Sequence, residues 1–438
     1  MNWVAEAITF LVTRQPMEIL ALFWYFILFD FSRYVLLDNI VLTFYMLSAR
    51  HRQAEKQLAR RALFREKPLV SVLVPGKNEG RHLPQLAASL QAQTYRHLEV
   101  IVVDDGSDDD TADICRRLLR KGAIHRFFCN PVRGGKASAA NLALRYAGGR
   151  FVIHLDADSH LREDSVETIL LPFYQDERIG AVGGDIRVKN VFDSVTTALQ
   201  AIDYMKSIST GRVVSSTLGI LRTISGAYGA FRKDLLDRLK GWDVGPGLDG
   251  DITLKIRKSG YKVVFEPEAV CYTNVPDSPR KLARQRYRWD RSLVRFRIRK
   301  HSDLLSLRNR NFSIRNFLTA ADNLFFNFLL NFKWWFYFIQ IVVFQTAYLK
   351  FVLPINYLIY FLSNVFEYFM VLWLFGRTIR REEILLILFL PLMPLYTGFF
   401  LRGVRTYAHL MELIWKTSFE DPWNPIRVSR IARQREGH

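Results

Sequence analysis

Three clusters of carboxylates and one basic aromatic motif follow one another along this chain. They read VDDGSDD at 103–109, LDADS at 155–159, GLDGD at 247–251 and QRYRW at 285–289. Asp156 and Asp158 put two carboxylates on one short turn, a spacing that suits Mg²⁺ or Mn²⁺ bridging phosphate oxygens. A Lewis acid held there would stabilise a departing diphosphate. A solvated turn is the plainer interpretation of such a pair, but the full set of motifs favours a metal-bound diphosphate.

The third acidic cluster holds the candidate general base. Asp249 and Asp251 flank Gly250 after a loop rich in Gly and Pro. A carboxylate at this point can take the proton from an attacking sugar hydroxyl. Asp251 also fits a helix N-cap before a helix over 252–258. We therefore predict that Asp249 is the base and that Asp251 is a cap or a supporting residue.

Two further segments carry candidate phosphate and nucleotide contacts. Asp105 can accept hydrogen bonds from a base or ribose, although an ordinary turn with Asp104 is the alternative. The RGGK segment at 133–136 opens a predicted helix, and helix N-termini favour anions. A plain basic loop explains it equally well.

The QRYRW motif predicts one functional helix face. Gln285, Arg288 and Trp289 fall at positions i, i+3 and i+4. Arg can grip diphosphate oxygens in bidentate fashion, and Trp offers a flat face on which a sugar ring can stack. An interfacial amphipathic helix anchored by its Trp is the alternative, and one helix can do both. Residues 193–218 form a second interfacial candidate.

Strands and helices alternate in the middle of the chain. Apolar runs predict strands at 69–74, 98–103 and 151–155, and helical spacing predicts helices at 80–93, 111–120 and 136–147. This alternation indicates an α/β domain with a parallel sheet, whose ligands bind beyond the carboxyl ends of the strands. Asp105 and Asp156 are therefore expected in one cleft. The chain has neither a complete P-loop nor an opening GxGxxG.

Apolar segments at both ends predict a membrane protein. The segment at 17–47 exceeds the roughly 20 residues that span a bilayer. Later runs predict spans at 334–353, 354–375 and 384–401, with the source of a fourth left open. The net charge of +19 is concentrated at 50–67 and 280–315, beside apolar segments.

This charge pattern predicts the orientation and the partners. Basic residues beside apolar segments are typical of juxtamembrane sequence, so we expect a lipid bilayer and no nucleic acid as partner. The positive-inside rule places the middle of the chain in the cytoplasm, on the inner face of a plasma membrane that the chain crosses several times. Three scattered cysteines form no disulfide framework.

These patterns divide the chain into six predicted parts. They are a membrane anchor (1–50), a basic linker (51–67), the catalytic domain (68–276), the QRYRW and interfacial helices (277–332), the C-terminal transmembrane helices (333–416) and a basic cytosolic tail (417–438).

The ordered motifs resemble those of membrane-integrated family 2 glycosyltransferases with a GT-A fold. The processive branch of that family includes cellulose, chitin, hyaluronan and poly-N-acetylglucosamine synthases. The resemblance runs from about 68 to 291, and the membrane layout extends it over nearly the whole chain. Each motif alone is weakly specific, whereas the ordered set is highly specific.

The resemblance assigns roles to individual residues. It implies that Asp105 contacts the uridine and that Asp156 and Asp158 bind the metal and the diphosphate. Residues implied to bind UDP are Pro75, Asn78, Glu79, Asp105, Lys136, Asp156, Asp158, Gln285 and Arg288. Residues implied to bind the acceptor are Trp289, Ser225 and Gly226. The tail at 421–423 resembles a Trp-bearing segment that follows the last helices in relatives.

The resemblance also implies a reaction. It is the inverting transfer of a sugar from a UDP-sugar, of the glucose or N-acetylglucosamine class, to a β-linked glycan that is exported through the membrane. A non-processive, ceramide-type transferase with a lipid acceptor is one alternative. Leu248 stands where relatives carry an acid, so an altered subunit that only binds nucleotide or glycan is another. The expected partners are therefore the UDP-sugar donor, the glycan acceptor, the lipid bilayer and an accessory or export subunit.

Overall fold

The computed structural model describes residues 3–243, 247–308, 312–376, 378–420 and 424–435. Four helices open the chain: α1 (Trp3–Val12), α2 (Pro16–Tyr25), α3 (Asp38–Leu47) and α4 (Ala49–Glu66). A π-helical stretch joins α2 to α3, so that Pro16–Leu47 is one apolar helix of 32 residues. The basic helix α4 then packs on the central domain, where Lys56 Nζ donates to Glu266 Oε1 at 2.7 Å.

The central domain is built on one sheet. Its strands are β1 (Val70–Gly76), β2 (Leu98–Asp104), β3 (Arg126–Cys129), β4 (Phe151–Leu155), β5 (His160–Leu161), β6 (Ile179–Val188), β7 (Tyr228–Arg232) and β8 (Lys262–Thr273). The strand order is β3-β2-β1-β4-β7-β6-β8-β5. The first four strands pair in parallel, as the alternating pattern predicts. Strand β7 runs antiparallel between β4 and β6, so the complete sheet is mixed.

Nine helices described in this domain surround the sheet or cross its carboxyl edge. They are α5 (Leu83–Gln91), α6 (Thr111–Arg120), α7 (Lys136–Arg145), α8 (Ser165–Gln175), α9 (Val195–Asp203), α10 (Gly211–Thr217), α11 (Lys233–Arg238), α12 (Leu248–Lys258) and α13 (Pro279–Leu293). The strands of the first half carry near-continuous apolar runs because both faces are covered. The predicted Rossmann-like α/β class is therefore confirmed.

The C-terminal part is helical. Its helices are α14 (Ile314–Asn323), α15 (Leu330–Phe344), α16 (Leu349–Leu374), α17 (Arg381–Leu385), α18 (Met393–Leu395), α19 (Arg402–Trp415) and α20 (Ile426–Arg435). Short π and 3-10 turns make Thr346–Leu374 and Arg381–Trp415 continuous helices of 29 and 35 residues. With Pro16–Leu47, they are the three described helices long and apolar enough to cross a membrane.

The predicted spans at 334–353 and 354–375 are wrong in their boundaries. The helix ends at Phe344, and the next one contains Pro354 in its interior. The break falls at the polar pair Gln345 and Thr346, and Pro354 does not mark a boundary because membrane helices tolerate proline. The predicted span at 384–401 and the short helix after it form one element, Arg381–Trp415.

Buried polar contacts join the sheet to these helices. Arg187 on β6 donates to Asp185 Oδ2 at 2.5 Å and to Glu383 Oε2 at 3.3 Å, and all three side chains are almost fully enclosed. The domain and the C-terminal helices therefore share one packed interface at β6.

Candidate active site

The site lies where the chain leaves β1, β2 and β4 at the carboxyl edge of the sheet. The backbone N–H of Asp105 donates to Gly76 O at 2.8 Å, and that of Asp156 donates to Ala227 O at 3.1 Å. These contacts bring the loops after three parallel strands and the turn before β7 together. The loops that carry Asp105 and Asp156 thus lie at one edge of the sheet, and we call the space between them the cleft.

Asp105 organises the loop that opens α7. Its carboxylate accepts hydrogen bonds from the backbone N–H groups of Gly134 at 2.8 Å and Gly135 at 2.6 Å, and from Asn130 Nδ2 at 3.1 Å. Asp104 instead closes its own turn by accepting from Ser107. Of the two neighbouring aspartates, Asp105 therefore positions the RGGK loop. Its contact with uridine stays a prediction.

The β1 loop is braced against the same turn. Asn78 has a positive φ of 60° and its Oδ1 accepts from the Asp108 N–H at 3.0 Å. Its own N–H donates to Ser107 Oγ at 2.8 Å. Pro75 lies at the end of β1, opposite Val103 of β2. Pro75 and Asn78 thus border the cleft, and their predicted nucleotide contacts stay predictions.

Three carboxylates crowd the centre of the cleft. Burial, followed by the charges of Asp158 and Asp156, raises the pKa of Glu79 to about 7. Burial and the charge of Asp156 raise the pKa of Asp158 to about 6. Like charges this close disfavour one another's ionised forms. The carboxylates of Glu79, Asp156 and Asp158 therefore repel one another in this cleft.

Lys136 offsets part of this charge. Its Nζ lies 2.5 Å from Asp156 Oδ1 and donates to Gly226 O at 3.3 Å. Burial alone would lower the pKa of Lys136, but Asp156 and Asp249 raise it. The Lys136 ammonium therefore links two turns: the DAD turn at 156–158 and the SGA turn at 225–227.

The carboxylates fit a divalent cation. Across the described residues, no group of three or more His, Cys, Asp or Glu side chains is arranged to hold a metal ion alone. Mg²⁺ needs only one or two carboxylates when substrate phosphates supply the other ligands. A divalent cation would offset the repulsion between the negatively charged carboxylates of Asp158 and Glu79.

Asp249 faces the same cleft from the first turn of α12. A Cβ on Gly226 would lie within 2.2 Å of Asp249 Oδ1, so only glycine fits against this carboxylate. Burial raises the pKa of Asp249, while the charge of Lys136 opposes that effect. A partly desolvated carboxylate with a raised pKa is suited to accepting a proton near neutral pH. Ser225 and Gly226 form the turn beside it, before β7.

Asp251 does not cap the helix, so only the second of the two roles predicted for it, that of a supporting residue, fits the structure. The helix begins at Leu248 after Gly247, which has a φ of +83°. Asp251 lies one turn inside, where its Oδ1 is 2.8 Å from both Lys300 Nζ and His301 Nε2. Burial alone would raise the pKa of Asp251, but His301 and Lys300 outweigh it and hold the pKa below its usual range. Asp251 is thus a supporting residue.

The QRYRW residues lie on one helix, α13, as predicted. Trp289 is 38% exposed, and the guanidinium of Arg286 stacks 4.9 Å from its ring. Arg286 also donates to Asp203 at the end of α9 at 2.6 Å. Gln285 Oε1 is enclosed and has no hydrogen-bond partner in the described part of the chain. The binding roles of Gln285, Arg288 and Trp289 stay predictions.

Sequence reasoning missed several residues of this region. Two sets of contacts hold the elements of the site together. Arg286 binds Asp203, 83 positions away, and Asp251 binds Lys300 and His301, which lie 49 and 50 positions further along the chain. The basic residues around 280–300 predict binding to phosphate or anionic lipid, and they do not indicate these contacts within the protein. The tail at 421–423 lies outside the described residues.

Comparison with known proteins identifies the domain. Residues 71–240 match the family model "Glycosyl transferase family 2". The poly-beta-1,6-N-acetyl-D-glucosamine synthase of Staphylococcus epidermidis is 31% identical over 222 residues, which is 50% of this chain and 53% of the relative. The synthase of Staphylococcus aureus strain COL is 29% identical over the same shares. The chain thus spans about half the length of the curated relatives it matches.

A solved structure supports the fold. The mannosyltransferase PcManGT from Pyrobaculum calidifontis, in complex with GDP-Man and Mn²⁺, has a TM-score of 0.54 and 23% identity. The match covers 87% of this chain and 99% of that one. Residues 71–240 therefore form a family 2 glycosyltransferase domain with a GT-A fold, which confirms the family and fold that the motifs resemble.

Proposed function

We propose that this protein transfers a sugar from a UDP-sugar, with UDP-N-acetylglucosamine as the first candidate, to the hydroxyl end of a growing β-linked glycan. The observation that carries the proposal is the shared cleft, in which Asp249, Lys136 and Asp156 meet around Gly226. The relatives named poly-beta-1,6-N-acetyl-D-glucosamine synthase support both the donor sugar and the polymeric product.

Asp249 removes the proton from the acceptor hydroxyl in this proposal. The hydroxyl oxygen then attacks the anomeric carbon from the face opposite UDP, and the bond between that carbon and the diphosphate oxygen breaks. One inversion follows, so an α-linked donor gives a β-linked product. The raised pKa of Asp249 makes it a stronger base than an exposed aspartate.

The other cleft residues bind and orient the donor. Pro75, Asn78, Glu79 and Asp105 border the nucleotide side, and Lys136, Gln285 and Arg288 supply contacts to the phosphates. Asp156 and Asp158 would hold Mg²⁺ or Mn²⁺, which supplies Lewis-acid stabilisation of the leaving diphosphate. Trp289 and the Ser225–Gly226 turn would receive the acceptor sugar.

The membrane layout supports export of the polymer. We place the catalytic domain on the cytoplasmic side of the plasma membrane, with the three apolar helices crossing it. Asp290, next to Trp289, pairs with Arg405 at 3.3 Å, so an ion pair joins the acceptor helix to the apolar helix Arg381–Trp415.

One observation favours a second candidate, transfer of a single sugar to a lipid. An apolar groove of about 360 Å³ opens between α9, the start of α13 and the helix Arg381–Trp415. Val195, Leu199, Leu282 and Leu395 line it, and a lipid chain would fit such a surface. The third candidate, an altered subunit, loses support because Leu248 packs in the hydrophobic core.

The test is UDP release by the purified protein in lipid nanodiscs with Mg²⁺ or Mn²⁺, across a panel of UDP-sugars, with sizing of the product. Release with UDP-N-acetylglucosamine and a ladder of lengths is the expected result. Release with a single added sugar on a lipid would favour the second candidate. Binding of UDP with no release from any donor would contradict the proposal.

A further inference from the structure

The helix that carries the candidate base has two different polar faces. Asp249 and Asp251 are two residues apart, so their side chains point to nearly opposite sides of α12. Asp249 faces Gly226 and the cleft. Asp251 is 1% exposed and faces the chain that follows α13. The orientation of the base therefore depends on what holds the Asp251 side.

Four titratable side chains hold that side, and we call them, with Asp251, the Asp251 network: Asp243, Lys255, Lys300 and His301. Asp251 Oδ1 lies 2.8 Å from Lys300 Nζ and 2.8 Å from His301 Nε2. Lys300 also reaches Asp243 Oδ2 at 2.6 Å, and Lys255 reaches Asp243 Oδ1 at 2.5 Å. Charge-assisted pairs shielded from water keep more of their strength than exposed ones.

The network ends on the same continuous helix as the QRYRW motif. Helix α13 passes into the π-helical stretch Val294–Lys300, and His301 follows directly. Within this stretch, Phe296 packs against Gly247, where an added Cβ would lie 2.3 Å from the ring. The start of α12 is therefore clamped by an apolar contact at Gly247 and by ion pairs at Asp251.

A third contact fixes the cleft side of the same turn. Thr253 Oγ1 donates to Asp249 O at 2.7 Å and accepts from the Ile224 N–H at 3.0 Å, just before the SGA turn. With this contact as a pivot, movement at Asp251 would turn the Asp249 carboxylate relative to the acceptor site.

We propose that Asp251, Lys300 and His301 are positioning residues for the glycosyl transfer: they lock the base helix to the helix that presents the acceptor-binding Trp289. The inference rests on the proposed function, because it gives Asp249 the role of base. The network touches none of Asp105, Asp156 and Asp158. Its loss should therefore change turnover and leave nucleotide binding in place.

The experiment compares matched variants in one assay, using UDP-N-acetylglucosamine and Mg²⁺ with the full chain in nanodiscs. His301→Leu and Lys300→Met remove the contacts to Asp251. His301→Gln keeps a donor near Nε2, and Lys300→Arg keeps the charge. We expect kcat to fall about 10- to 100-fold in the first pair, since small misplacements of reacting groups cost this much. The second pair should stay within about threefold of the parent protein, because its donors can still hold the base in place.

The control is an ion pair between the same two segments. Lys258 on α12 reaches Asp303 at 2.6 Å, and these side chains are 30% and 46% exposed, far more than Asp251. Lys258→Met should keep kcat within about twofold, because exposed pairs contribute little. Thermal unfolding of each variant and its affinity for UDP complete the set, and UDP affinity should change less than twofold where only the base is misplaced.

Three results would overturn the inference. They are an unchanged kcat in both His301→Leu and Lys300→Met, an equal loss in Lys258→Met, and a loss of UDP affinity as large as the loss of kcat. If one variant does not fold, the other decides. Asp249→Asn separates the two proposals: full turnover in that variant contradicts the proposed function, whereas turnover lost there and kept in the network variants contradicts this inference alone.

Discussion

The cleft and the back of α12 both contain clustered carboxylates, but their electrostatic environments are opposite. In the cleft, burial and mutual repulsion raise the pKa values of Glu79 and Asp158. Behind the helix, Lys300 and His301 hold the pKa of Asp251 below its usual range. Carboxylates left uncompensated in a cleft are typical of binding and catalysis, and compensated ones are typical of structure.

The contrast is sharpest within one helical turn. Asp249 and Asp251 are chemically identical and two positions apart, yet burial raises one pKa and ion pairs lower the other. The sequence predicts different roles for them, but it does not show which groups each carboxylate meets. What separates them is the direction of each side chain and the residues that it meets.

The largest effect is expected in the uncompensated cluster. Asp158→Asn should lower turnover about 100-fold or more, because it removes a carboxylate that would help to stabilise the leaving diphosphate. Isothermal titration should also show that Mg²⁺ no longer strengthens UDP binding. The matched change is Asp164→Asn, outside the cleft, where Asp164 pairs with Arg162 at 2.6 Å. Equal activities of these two variants would contradict the role given to the cleft.

A smaller effect is expected where the base meets the SGA turn. Gly226→Ala would put a methyl group within 2.2 Å of Asp249 Oδ1 and displace the carboxylate. We expect turnover to fall about 10- to 100-fold, a typical cost of misplacing a catalytic group. Gly250→Ala is the control on the same helix. A Cβ added at Gly250 would lie 3.9 Å from Thr223 Oγ1, an ordinary van der Waals contact that displaces nothing. Similar turnover numbers for the two variants would show that the base does not depend on this contact.

The Asp251 side should show its effect in stability against pH. Its pKa is lowered by folding, so its ion pairs contribute fully above the ordinary aspartate pKa of about 4 and are lost as the pH falls below that value. Asp251→Asn should cost about 2–3 kcal/mol in the free energy of unfolding at pH 7. Thermal unfolding from pH 7 to pH 3 should show the difference shrinking. A difference that is constant across this range would mean that Asp251 is not a charged anchor.

Much of the domain could be predicted from local pattern. The predicted strand at 151–155 and helix at 111–120 have the same bounds as β4 and α6, and the predicted strand at 98–103 is one residue shorter than β2. These elements are set by short apolar runs and helical spacing. The DAD turn follows β4 directly, so its place at the sheet edge could also be predicted.

The missing parts depend on contacts between distant residues. The antiparallel insertion of β7 pairs Ile153 with Ala230, 77 positions further along the chain, and no local signal indicates that pairing. His301 is 50 positions from Asp251.

The role of Asp249 as general base is tested most directly by comparing product formation in the Asp249→Asn variant and in the parent protein. Both would be purified in nanodiscs and given radiolabelled UDP-N-acetylglucosamine with Mg²⁺, and UDP affinity would be measured on the same samples. If Asp249 is the base, the variant should bind UDP normally and form labelled glycan at least about 100-fold more slowly, which is the usual contribution of a general base. Glycan formation at the parent rate by a folded Asp249→Asn protein would contradict it.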